Sequence, residues 1–139
     1  MKHHLVLHVV SKLLIPFILL FALYVQFHGD YGPGGGFQAG VIFGAAFILY
    51  ALIFGVDTVR RVANPAVIRV LVAAGLLIYG GVGVLSLFLG GRYLDYSVLA
   101  NEPAHGQHLG IALIEFGVGT TVAAVMITIF LAYAGRGRR

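Results

Sequence analysis

The chain has 139 residues, 60% of them hydrophobic and 10% charged, and a mean hydropathy of +0.97. That leaves too few charges to coat a water-soluble domain, so the composition describes a membrane protein. The formal charge of +4 would suit a nucleic-acid partner on a soluble domain. Here the basic residues gather at the ends of apolar runs, where they act as topology signals, and a nucleic-acid role is excluded. There are no cysteines, which excludes disulfides, thiolate metal centres and a cysteine nucleophile.

Four apolar runs, about 5–27, 37–55, 67–89 and 109–134, each approach the ~20 residues that cross ~30 Å of hydrocarbon. The expected fold is all-α: a single membrane domain over 1–139 with four transmembrane helices at about 5–27, 37–55, 67–89 and 105–134. Lys2 and Lys12 lie near the start, Arg60, Arg61 and Arg69 around the second connection, and Arg136, Arg138 and Arg139 at the end. The first connection has no Lys or Arg and the third has only Arg92, so the positive-inside rule puts both termini in the cytoplasm. The first run is longer than the apolar part of a signal peptide and lacks a small-x-small cleavage pattern, so it is expected to be retained.

In the first run, Lys12 can lay its alkyl stem along the helix and place its ammonium at the inner interface. Pro16 leaves a carbonyl unpaired and predicts a kink that neighbouring helices can accommodate. The stretch 28–40 then holds six of the 20 glycines between two apolar runs. Pro33, Gly34, Gly35 and Gly36 predict a tight turn able to expose backbone carbonyls or N–H groups at membrane depth, where such groups can bind cations. An equally open reading is a turn fitted against another subunit. Gly36, Gly40 and Gly44 recur every four residues and form a small-residue seam on one face of the second helix.

The second connection, 57–65, reads as a short loop with Pro65 opening the third helix, which has no ionisable group in its apolar part and is assigned packing work. In the third connection, Tyr93 and Tyr96 suit a membrane interface. Asn101-Glu102-Pro103 reads as a helix start with a capping side chain before proline, so the fourth helix begins ahead of the bilayer.

Glu115 is the only acid inside an expected span. With residue 109 at the outer edge it lies ~9 Å deep, where a charged carboxylate costs on the order of 2.5–3.5 kcal/mol on insertion scales. Protonation, a partner charge, or water and a cation must offset that cost. His108 and His105 precede it by seven and ten residues, near the same helix face, and could pass a proton or attract a cation inward. The alternative gives Glu115 an interhelical hydrogen bond and leaves both histidines as interfacial side chains. His28, Asp30 and Gln38, around the glycine-rich turn, are further ion-path candidates if the helices meet there. A metal centre from His28, Asp30, His105 and His108 has suitable ligand types but no zinc-type spacing, and no metal site is expected. Gly34-Gly35-Gly36-Phe37-Gln38-Ala39 fits G-x-G-x-x-A, yet follows a membrane helix rather than a strand, which rejects nucleotide binding. No nucleophile is paired with a base, so no catalytic residue is assigned and the chain is not read as an enzyme.

His28-Gly29 followed by Pro33-Gly34-Gly35-Gly36-Phe37, with Leu113-Ile114-Glu115-Phe116-Gly117-Val118-Gly119 in the fourth helix, resembles the B subunit (MnhB/MrpB family) of Mrp-type multisubunit cation/proton antiporters. The likeness covers essentially the whole chain. It implies a plasma-membrane subunit of a hetero-oligomeric complex that exchanges cytoplasmic sodium for outside protons, with other subunits and lipids as partners. Na+ and H+ would be the transported ions, and no cofactor is implied. Large subunits of such complexes are held to conduct protons, and small ones to supply a sodium path or a scaffold. Related modules serve membrane-bound hydrogenases. Many relatives carry histidine where Asp30 stands, glycine where Ala39 stands and aspartate where Glu115 stands; the last difference keeps the carboxylate.

Overall fold

The computed structural model describes residues 2–29 and 34–136. Its fold is all-helical, and among the described residues four helices are long and apolar enough to cross a membrane. These are α1 (Lys2–His28), α2 (Gly36–Phe54), α4 (Pro65–Phe88) and α5 (Pro103–Ala134), with a short α3 (Val56–Val62) between α2 and α4. Leu5, Leu13, Phe17, Leu20, Leu76 and Leu77 are each more than 60% exposed, while buried positions are mostly small, such as Ala22, Ala39, Ala46 and Ala124. Large apolar groups turned outward and small ones at helix contacts suit a lipid surround, where close packing rather than water exclusion joins helices.

The helices stand in a row, α1 beside α2, α2 beside α5, and α5 beside α4. Gly36 packs on the Glu115 backbone, Gly40 on Gly119 and Val122, and Gly44 on Met126. Residue numbers rise together along both helices, so α2 and α5 run parallel, with the small-residue seam of α2 occupied by α5 of the same chain. Gly40 marks the closeness: a Cβ there would stand 2.6 Å from the Gly119 carbonyl oxygen. On its other side α5 meets α4, where a Cβ on Gly117 would stand 2.8 Å from the Gly75 carbonyl oxygen. There the Thr121 hydroxyl donates to the Val72 carbonyl at 3.2 Å, tying the two helices with one interhelical bond.

The expected loop over 57–65 is instead mostly helical. Asp57 occupies the first turn of α3 and Arg60 and Arg61 its last, matching the peptide dipole at both ends. The Thr58 hydroxyl donates to the Phe54 carbonyl at 2.9 Å. Val59 is only 1% exposed and anchors the turn in a cluster with Ala51, Ile68, Ile127 and Leu131. The chain reverses at Gly55, whose φ of 94° lies in the left-handed region that glycine tolerates. Asn64 then accepts from the Ala66 N–H at 2.9 Å and Pro65 opens α4.

Two further details depart from expectation. At the start of α5 the capping position is Glu102 rather than Asn101, and its side chain makes no cap bond. Proline at the next position holds the residue before it extended, which fixes the boundary at Glu102. Tyr93 and Tyr96 do not simply line an interface: Tyr93 packs on Gly83 of α4 and Tyr96 on Gly106 and Gly110 of α5. A 3₁₀ turn, Tyr96–Leu99, holds this connection, with Asp95 accepting from the Ser97 N–H at 3.2 Å and from its hydroxyl at 2.5 Å.

Because Gly36 stands level with Glu115, α5 continues for 12 residues beyond the α1–α2 turn, a rise of ~18 Å. The described end of α1 and start of α2 are thus recessed beside a wall made by the upper part of α5. At the opposite end of the bundle α3 brings Arg60 against Gly135, Arg69 lies near the start of α4, and Lys12 lies in the half of α1 nearer its start.

Candidate functional site

The recess is built from three elements. α1 ends at His28, and Gly35 reaches back to it, its N–H donating to the Val25 carbonyl at 3.3 Å. Gly35 has φ 138°, a conformation open to glycine, and Gly34 lies so close that a Cβ would stand 2.9 Å from the Val25 carbonyl oxygen. α2 begins at Gly36 with no side-chain cap. Its first backbone N–H groups therefore lack partners within the helix.

Half-buried Glu115 projects from α5 into this place. A Cβ on Gly29 would stand 3.1 and 3.2 Å from its two carboxylate oxygens, and one on Gly35 would stand 3.5 Å from Oε1. The carboxylate lies on bare backbone between the end of α1 and the start of α2. A helix N-terminus carries the positive end of the peptide dipole and favours an anion by about 0.3–1 kcal/mol, up to about 2 kcal/mol where partly buried. Against an insertion cost on the order of 2.5–3.5 kcal/mol, the dipole offsets only part.

The other residues singled out from sequence are placed differently. His28 is half-buried, and its ring stacks on Tyr24 with centroids 5.0 Å apart, continuing a row from Phe21. Its backbone borders the site through Gly29. His108 is exposed, two turns before Glu115 on α5 and ~10 Å nearer that helix's start. His105 is exposed with Nδ1 3.4 Å from the Glu102 carboxylate. Gln38 is exposed, whereas its neighbour Ala39 is buried and Gly40 faces α5. Asp30 and Pro33 lie outside the described residues. Among the described residues no three His, Asp or Glu side chains gather as a metal-ligand group.

Sequence reading missed Gln26, the one amide in the first apolar run. It is half-buried on α1, and its Oε1 lies 2.6 Å from where a Cβ on Gly119 would stand. Gly119 is one helical turn past Glu115, so Gln26 sits directly beneath the carboxylate. It also borders a groove of about 600 Å³ that opens between α1 and α4 across a floor of α2 and α5, with Ala22, Gly40, Ile78 and Thr120 among its lining.

The sequence pattern described as a domain related to the MnhB subunit of Na+/H+ antiporter matches residues 6–128. The chain belongs to the MnhB family. Proteins from Staphylococcus aureus strains Newman and JH1, which carry the provisional name antiporter subunit mnhB2, are each 36% identical to it over 137 residues, covering 96% of this chain and 96% of theirs. The match to the MnhB pattern contains every part of the site just described, from Gln26 and Gly29 to Glu115 and Gly119. As an MnhB-family chain with four spanning helices, it is a multi-pass protein of the plasma membrane.

Proposed function

We propose that this MnhB-family chain works as a non-enzymatic subunit of an Mrp-type Na+/H+ antiporter, with Glu115 as its ion-handling group. The observation that carries this reading is the seat of the carboxylate on Gly29 and Gly35, at the end of a spanning helix and beside the start of α2, which has no side-chain cap. A carboxylate there can hold a proton or face a cation, and the two states exclude each other, which is the elementary requirement for exchange. His108, on the same side of α5, stands between the recess and the helix start and suits proton delivery. The excess of Lys12, Arg60, Arg61, Arg69 and Arg136 at the opposite end supports a cytoplasmic position for both termini and an outward-facing glycine turn.

One acid does not make a transmembrane path, so the route continues through neighbouring subunits, and the groove between α1 and α4 offers them an open flank. The test is Glu115→Gln in the assembled complex, assayed for Na+-driven proton exchange in everted vesicles, beside Glu115→Asp. Exchange is expected to be lost in the amide variant and partly kept in the aspartate variant, at equal complex recovery. Normal rate and Na+ affinity in Glu115→Gln would leave the chain a scaffold without ion contact.

A further inference from the structure

The geometry points to Gln26 as a second, selectivity-setting group of the Glu115 site, supplying an oxygen to a partly dehydrated monovalent cation one helical turn below the carboxylate. This rests on the ion-path reading of Glu115 and extends it to a residue on another helix.

Three observations converge. First, Gln26 Oε1 and the Gly36 carbonyl oxygen lie 2.6 and 3.1 Å from one and the same point, the place a Cβ on Gly119 would fill. Position 119 is bare, so two oxygens from α1 and α2 meet over a third helix with no side chain between them. Second, no hydrogen bond holds the Gln26 amide among the described residues, although Thr58, Ser86, Thr120, Thr121 and Thr128 all have backbone acceptors. Half-buried Gln26 lies at the border of the groove, so its amide oxygen is open to a cation there. Third, Gln26 borders the open groove, which Glu115 does not, so the amide stands where an ion leaving the carboxylate would enter the flank facing another subunit.

The chemistry is that of a hard cation. Sodium prefers oxygen ligands, and transporters draw them from carboxylates, side-chain amides and carbonyls near broken helices. Glu115 supplies charge, while Gln26 and the Gly36 carbonyl supply neutral oxygens whose spacing can distinguish ion sizes. A proton needs only the carboxylate. Loss of Gln26 should therefore weaken cation use more than proton use.

The test is Gln26→Leu, close in volume but without the amide, in the assembled complex in everted vesicles. Half-saturating Na+ and Li+ concentrations and the pH profile would be measured beside Glu115→Gln. The expected result is at least a tenfold rise in half-saturating Na+ with an altered Na+/Li+ ratio and a retained maximal rate. An unchanged ratio and half-saturation overturn the proposal. If Gln26→Leu is not recovered in the complex, Gln26→Asn decides, because it keeps an amide but withdraws it by one methylene: a changed ion ratio supports the role, and an unchanged ratio or failed assembly assigns Gln26 to packing. Loss of exchange in Glu115→Gln with silent Gln26 variants would sink this inference alone. Normal exchange in Glu115→Gln would sink the reading beneath it.

Discussion

The carbonyl oxygen of Glu115 occupies the space that a side chain on Gly36 would need. The group proposed to handle ions and the first residue of α2 are thus locked together through backbone, and neither can shift without the other.

Gly36→Ala should therefore destabilise the protein, since its methyl would meet backbone that cannot rotate away. Overpacking of this kind costs about 1–3 kcal/mol. Gly81→Ala is the matched control, because a Cβ there meets nothing within 4 Å, and helix propensity favours alanine by up to about 1 kcal/mol. Thermal unfolding of the purified chain in detergent should rank them in that order. Equal unfolding temperatures would show that the α2–α5 seam tolerates expansion.

The orientation can be read with single cysteines, since the natural chain has none. Glu102→Cys, at the exposed start of α5, should react with a membrane-impermeant maleimide on intact cells. Val62→Cys, on an exposed position that ends α3, should react only after permeabilisation. The reverse pattern would place the glycine turn in the cytoplasm.

The Ser97 hydroxyl and then its backbone N–H hold the Asp95 carboxyl below its ordinary value of 3.8. A carboxylate depressed in the folded state stabilises it above the unfolded value, and that contribution fades as pH falls through the folded value. The turn that seats Tyr96 should accordingly loosen only below pH 3.8. The near-ultraviolet tyrosine circular dichroism of the chain in detergent should show this transition, and Asp95→Asn should lack it. An identical acid transition in both proteins would assign it to another carboxylate.

Much of this was legible in the sequence because each feature rests on local chemistry. Run length gave four spans, a period of four put Gly36, Gly40 and Gly44 on one face, and the rarity of acids in apolar runs picked out Glu115. What stayed hidden depends on partners distant in the chain. Periodicity shows that a face is small but not what covers it, so the parallel packing on α5 could not be read. Nor could the meeting of Glu115 with Gly29 and Gly35, which had looked like a separate turn. Gln26 gave a faint signal as a lone amide, but only its approach to Gly119 gives it a place. The helical character of α3 was masked by its loop-like charges, and buried Val59 is what decides it.

The parallel pairing of α2 with α5 also sets an order of construction. Translation delivers α1 and α2 well before Glu115, so the seam of Gly36, Gly40 and Gly44 is made before the helix that covers it. Insertion of α5 both closes the seam and delivers the carboxylate. A chain truncated before α5 would keep Gln26 on α1 but lack the Glu115 carboxylate, so the site acquires its charge only when α5 is in place.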